Sequence, residues 1–240
     1  MTDQEKIIVA LDVETAKEAR EIIAELRGEV GAFKIGLQLF TAAGASFVRE
    51  TVEAGIRVFL DVKFHDIPNT TAKASIEVAR LGVWMFNVHA LGGAEMMRRT
   101  VETVGEICER ENLQKPKIIG VTVLTSANQA TLKEVGIEAE TDAQVLKLAQ
   151  LTAKCGLDGV VASPLETALI RKNVENKDFL VITPGIRSRK LETFDDQRRV
   201  TTASEAIAAG ANYLVIGRPI GQAENRVSAA RQILEEMANI

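Results

Sequence analysis

Aromatic residues form only 4% of this 240-residue chain, with a single Trp and a single Tyr. The interior must therefore be built from aliphatic side chains. A hydrophobic content of 46%, with 17 glycines and five prolines, suits a compact core punctuated by turns rather than a disordered or fibrous chain. Cysteine is scarce: Cys108 and Cys155 are the two present. Each falls inside an amphipathic helical pattern, which reads as a buried reduced thiol rather than half of a disulfide or metal pair and fits a reducing cytoplasm. Excess positive charge is missing too. A formal net charge of −4 offers no broad basic field, so neither nucleic acid nor an anionic membrane is an expected partner. No apolar run approaches the roughly 18 residues of a membrane span, and the polar start Met-Thr-Asp-Gln-Glu-Lys carries no export or anchoring signal.

What the chain does contain is a repeated alternation. Short β-rich runs occur at Ile7–Leu11, Phe33–Ile35, Val58–Val62, Phe86–His89, Ile118–Val123, Gly159–Ala162, Leu180–Thr183 and Tyr213–Ile216, with helical patterns between them. Capping boxes are expected at Thr15-x-x-Glu18, Ser163-Pro164-x-Glu166 and Thr202-x-x-Glu205, and Gly28, Gly82, Gly156 and Gly210 sit where helices should stop. Eight βα units without a break in composition predict a closed (β/α)8 TIM barrel, one α/β domain over residues 1–240. The alternative is an open doubly wound sheet. Against it, Leu11 is followed by Asp-Val-Glu-Thr rather than the Gly-x-Gly-x-x-Gly that cradles a dinucleotide. Two connections exceed a plain turn, Ser126–Thr141 and Ile186–Thr201, and the second is a candidate lid.

Reaction groups of a barrel gather at the C-terminal ends of its strands, and there this chain is consistently polar. In strand order the endings carry Asp12, then Lys34, then Asp61 and Lys63 with Asp66 beyond, then Asn87 through His89, then Thr125-Ser126, then Thr183-Pro184-Gly185-Ile186-Arg187, and last Gly217-Arg218. Each has an ordinary account on its own. An isolated Asp-x-Lys is usually a solvated ion pair worth at most about 1 kcal/mol, a strand-end lysine snorkels, and His65 and His89 read as hydrogen-bonded packing residues. Convergence on most strands of one ring is harder to assign to packing. Gly185 and Gly217 let backbone N–H groups approach an anion while Arg187 and Arg218 supply guanidinium donors, which points to a phosphate on the ligand. Gln197 could reach inward from the long seventh loop.

Lysines interleaved with carboxylates stay protonated. That disfavours a Schiff-base lysine, and carboxylates already paired with ammonium groups are less available to a divalent metal. No metal is therefore expected. What remains is stabilisation of a carbanion by a fixed ammonium that then delivers a proton, beside a carboxylate that repels a negative group on the substrate. Decarboxylation with protonation fits that description.

The segment Asp61-Val-Lys63-Phe-His-Asp66-Ile67-Pro68-Asn69-Thr70, with Lys34, Thr125-Ser126, Thr183-Pro184-Gly185-Ile186-Arg187, Asp196-Gln197 and Ile216-Gly217-Arg218, resembles the bacterial-type orotidine 5′-phosphate decarboxylase family from about Ile8 to Ile220. The resemblance implies conversion of orotidine 5′-monophosphate to UMP and CO2, the last step of de novo pyrimidine synthesis, without a cofactor, in a homodimer with shared sites. It makes Lys63 the proton donor to C6 and Asp61 the carboxylate facing the leaving CO2. Lys34 would orient Asp61 and touch the ribose, and Asp12 would bind a ribose hydroxyl. Asp66, with Ile67 and Thr70, would enter the neighbouring subunit's site. Thr125 and Ser126 would meet the pyrimidine edge, Gln197 would bridge base and phosphate, and Arg187, Gly217 and Arg218 would hold the phosphate. Two alternatives remain: a Mg²⁺-dependent sugar-phosphate decarboxylase or synthase of the same superfamily, and a catalytically silent nucleotide-binding barrel.

Overall fold

In a computed structural model, residues 1–187 and 201–238 are described. Eight parallel strands close in sequence order into a barrel, β1 pairing with β2 on one side and β8 on the other. The strands are β1 (Ile7–Ala10), β2 (Ala32–Gly36), β3 (Val58–Phe64), β4 (Met85–His89), β5 (Lys117–Val121), β6 (Gly159–Val161), β7 (Leu180–Pro184) and β8 (Tyr213–Ile216). All eight coincide with the runs expected from sequence, and the open-sheet alternative is excluded by the β1–β8 pairing. No helix among the described residues is long and apolar enough to cross a membrane.

The helices are α1 (Ala16–Leu26), α2 (Leu37–Glu53), α3 (Pro68–Arg80), α4 (Gly93–Glu111), α5 (Gln129–Glu134), α6 (Thr141–Lys154), α7 (Pro164–Asn173), α8 (Ala203–Ala208), α9 (Arg218–Gly221) and α10 (Arg226–Ala238). Thr15, Ser163 and Thr202 all cap as expected, each side chain accepting a backbone N–H of the following turn. Only Thr202 forms the complete reciprocal box with Glu205. Glu18 instead accepts from the Glu14 N–H. The four glycines expected to end helices take φ between 74° and 104°, a region costly for any residue with a Cβ. The Ser126–Thr141 connection is less irregular than its length suggested, because the Asn128 side chain caps the first turn of α5 by accepting from the Thr131 N–H at 3.0 Å.

Alternation along the strands divides the core in two. Inside the barrel Ile8, Phe59, Met85, Ile119, Ile182, Tyr213 and Val215 fill the floor. Outside it Val9, Ile35, Leu60, Phe86, Val160 and Leu214 face the helices. The inward positions nearest the C-terminal mouth then change character to Lys34, Asp61 and Asn87, so the apolar plug supports a polar layer. Cys108 and Cys155 are both buried free thiols, and burial pushes both thiols up from their ordinary range.

Phe86 is fully buried and meets the Phe64 ring edge-on at 6.3 Å. Truncation of Phe86→Ala is expected to cost about 3–5 kcal/mol through lost burial and a residual cavity. Equilibrium denaturation measures this, and a loss below about 1 kcal/mol would mean that the outer layer is not packed as described.

Candidate active site

Each polar side chain at the mouth is set by its strand. Lys34 projects inward from β2 between Ala10 and Phe59, its register partners on the neighbouring strands. Its ammonium lies 3.2 Å from Asp12 Oδ1 and 3.4 Å from Asp61 Oδ2. Two glycines leave room for this contact: a Cβ on Gly36 would stand 3.0 Å from Lys34 Nζ, and one on Gly217 would stand 3.2 Å from Asp12 Oδ2. Asp61 follows on β3, its other oxygen accepting from Lys63 Nζ at 2.7 Å and from Asn87 Nδ2 at 2.7 Å.

Simple strand alternation brings Asp61 and Lys63 to one face, but β3 does not stay extended that far. Leu60 pairs with Phe86 and Phe64 with Val88, so Asp61, Val62 and Lys63 stand opposite the single residue Asn87. At Lys63 the backbone turns left-handed, with φ of 52°, which costs a non-glycine residue about 1–3 kcal/mol and persists only where surrounding contacts impose it. The Lys63 N–H leaves the β ladder and donates instead to Asn87 Oδ1 at 2.7 Å. Bulges of this kind re-aim side chains beside active sites.

The charges reinforce one another. Burial alone would lower the Lys34 ammonium pKa, but the adjacent carboxylates of Asp61 and Asp12 outweigh it and raise it. Burial would likewise raise that of Asp61, and the charges of Lys34 and Lys63, with hydrogen bonds from Lys63 and Asn87, hold its carboxyl below the usual range. Both groups are thus ionised at neutral pH. The stability Asp61 contributes is present above the ordinary carboxylate range near pH 4 and lost as pH falls through its lowered folded value. Among the described residues no three His, Cys, Asp or Glu side chains come together as a metal-binding group. A divalent ion at Asp61 would have to displace the donors that occupy both its oxygens.

These groups form one wall of a cavity of about 330 Å³ at the barrel mouth. Its floor is Ala10, Phe59, Val161 and Val215, and its far side carries Thr125 and Ser126 after β5, Gly185 and Arg187 after β7, and Gly217 and Arg218 after β8. The chain around Ile186 returns at Thr201, where Arg187 N–H donates to Thr201 O at 2.9 Å. Nine of the expected residues, Asp12, Lys34, Asp61, Lys63, Thr125, Ser126, Arg187, Gly217 and Arg218, therefore share one cavity. Gln197 lies outside the described residues. Asp66, Ile67 and Thr70 do not line the cavity of their own chain; all three are exposed, and Asp66 Oδ1 accepts from the Ile67 N–H at 2.7 Å. The residue sequence reasoning left without a role is Asn87. Its signal was available: an amide between apolar neighbours at an inward position of a buried strand.

Ammonium and carboxylate groups gathered in this way around a cavity at the C-terminal mouth of a closed parallel barrel are the arrangement of a (β/α)8-barrel enzyme. A family model described as orotidine 5′-phosphate decarboxylase / HUMPS family matches residues 5–233. The chain belongs to that family. It is 52% identical over 235 residues to the orotidine 5′-phosphate decarboxylase of Syntrophotalea carbinolica, covering 98% of this chain and 96% of the relative. It is 50% identical over 234 residues to that of Geobacter sulfurreducens, covering 98% and 96%. Among solved structures, orotidine 5′-phosphate decarboxylase from Lactobacillus acidophilus superposes with a TM-score of 0.84 at 33% identity, covering 96% of this chain and 98% of that one.

Beside Lys63, the His65 and His89 rings stack at 5.3 Å between centroids. His89 Nδ1 accepts from the Leu91 N–H at 3.4 Å, which leaves its proton on Nε2. Burial, then the charges of His65 and Lys63, lower the His89 imidazole from 6.5 to about 4. Between those values the unfolded chain binds a proton that folded His89 refuses, so this contribution to stability is complete above pH 6.5 and falls as pH drops toward 4. An NMR titration should place the His89 midpoint near 4, and His89→Gln should lessen the decline of Tm across that interval; a midpoint at the ordinary 6.5 would contradict it.

Proposed function

We propose that the protein decarboxylates orotidine 5′-monophosphate to UMP and CO2, the last step of de novo UMP synthesis, with no metal and no cofactor. The observation that carries the reading is the Lys63 ammonium 2.7 Å from an ionised, largely buried Asp61, with Lys34 behind it and arginines across the same cavity. The pyrimidine sits against Thr125 and Ser126, the ribose against Asp12 and Lys34, and the phosphate near Arg187, Gly217 and Arg218, with Gln197 joining base and phosphate. The substrate carboxylate then faces Asp61, and like charges destabilise it there. The C6–carboxylate bond breaks, CO2 departs, and the electron pair remains on C6. Lys63 Nζ–H donates its proton to C6, giving UMP and a neutral amine that solvent reprotonates. An ammonium about 4 Å from the developing carbanion at an effective dielectric near 20 contributes about 4 kcal/mol, roughly three powers of ten in rate. Phosphate binding remote from the reacting carbon helps position the base.

The working unit on this reading is a cytoplasmic homodimer with shared sites. Leu37, Ile67 and Leu91 are exposed apolar side chains at 61%, 67% and 43%, placed just beyond β2, β3 and β4. They suit a contact with a second chain on the side from which Asp66, Ile67 and Thr70 would enter the partner's cavity. The two buried thiols suit a reducing compartment.

Loss of orotidylate absorbance on adding enzyme tests the activity. EDTA should leave the native rate unchanged, which a Mg²⁺-dependent sugar-phosphate enzyme would not tolerate, and a silent binding barrel would show no absorbance change. Lys63→Ala should lower kcat by about 10³-fold or more while the fold persists; retained turnover would remove Lys63 as donor.

Sharing of sites has its own test. Lys63→Ala and Asp66→Ala chains, each inactive alone, should recover about a quarter of native activity when unfolded and refolded together in equal amounts, because half the dimers are mixed and each holds one intact site. No recovery would place Asp66 outside the partner's site.

A further inference from the structure

Asn87 is fully buried in the middle of β4, does not line the cavity at the barrel mouth, and joins Asp61 and Lys63 through one planar amide. Its Nδ2 donates to Asp61 Oδ1 at 2.7 Å, the oxygen that also accepts from Lys63 Nζ. Its Oδ1 accepts the backbone N–H of Lys63 at 2.7 Å. It is the one residue of β4 opposite the three-residue excursion Asp61–Lys63, and Lys63 is the residue whose backbone turns left-handed there.

We propose that Asn87 is a positioning residue for decarboxylation, acting through Lys63 and Asp61. This rests on the function proposed above. The amide holds the Lys63 backbone in the turn that aims its ammonium at the cavity, and fixes the orientation of the Asp61 carboxylate without adding charge. Side-chain chemistry narrows what can do this. The site needs one donor and one acceptor on a short, neutral, planar group. An ionised carboxylate offers two acceptors and would repel Asp61. An aliphatic group would strand both a buried N–H and a carboxylate lone pair. Glutamine is one methylene too long for a fully buried position. The charged groups facing the amide are Asp61 and Lys63 on β3; on β5 its register partner is Ile119, and along its own strand the next inward residue is His89, stacked on His65.

The test uses native full-length protein, Asn87→Ala and Asn87→Asp. Loss of the bridge in Asn87→Ala should lower kcat by about 10²-fold, the scale of an ångström-sized misplacement. The KM for orotidine 5′-monophosphate and the Kd for UMP should stay within about threefold, since Asn87 does not line the cavity. In Asn87→Asp a protonated carboxyl can reproduce both hydrogen bonds, and burial beside Asp61 raises its pKa. Its kcat should therefore be near native at low pH and fall as pH rises through a titration that the native enzyme lacks. Exchange of the Lys63 amide hydrogen should quicken in Asn87→Ala, a readout independent of turnover. A structural role alone would lower Tm and the yield of active sites without a new pH limb or a kcat loss per folded site, and that result overturns the proposal. Native kinetics in both variants with an active native enzyme also overturns it. An inactive native protein would instead defeat the assigned function, and unchanged Lys63 amide exchange would then defeat the bridge separately.

Discussion

A carboxylate held between two ammonium groups inside the mouth of a closed barrel is the constraint on which the rest of the site depends. Asp61 is only 14% exposed in its side chain, and an ion so placed is tolerable only when paired and hydrogen-bonded. Lys34, Lys63 and Asn87 meet that requirement from three strands. The same contacts keep Lys34 charged and the carboxylate ionised, which the proposed chemistry needs. Stability and reactivity thus rest on shared hydrogen bonds.

The barrel supplies what a single strand could not. Strand order sets Lys34 and Asp61 on adjacent strands with Asp12 two residues past the neighbouring β1, while closure brings the arginine-bearing endings of β7 and β8 round to the same cavity. The apolar floor formed by Phe59, Val161 and Val215 keeps the polar layer shallow and on one face. Glycines at 36 and 217 let Lys34 and Asp12 approach closely. The left-handed turn at Lys63 is the one departure from regular strand geometry in this wall, and it lies where a proton donor must be aimed.

Much of this was legible in the chain because barrels repeat a local signal. The run Val58–Val62 shows as a buried strand by composition, Thr15 and Thr202 announce helix starts, and the polar strand endings follow from placing those strands in a ring. Less legible were features set across the barrel. Asn87 binds Lys63 from 24 positions away, so neither the bulge nor its left-handed residue has a signature within β3. Helix α5 was hidden for the opposite reason: its signal is one short turn capped by Asn128, too brief for periodicity to register.

Residue order by itself determined the number of βα units, the identity of the charged groups and their strand-end positions, because alternation, capping and turn chemistry act over a few residues. Tertiary structure alone decided which of these charges meet. Lys34 joins Asp12 and Asp61 because β1, β2 and β3 are neighbours in register, whereas Asp66, only three residues beyond Lys63, turns outward and satisfies itself on the Ile67 amide. Contacts between strands depend on closure and register, which no local stretch of sequence encodes.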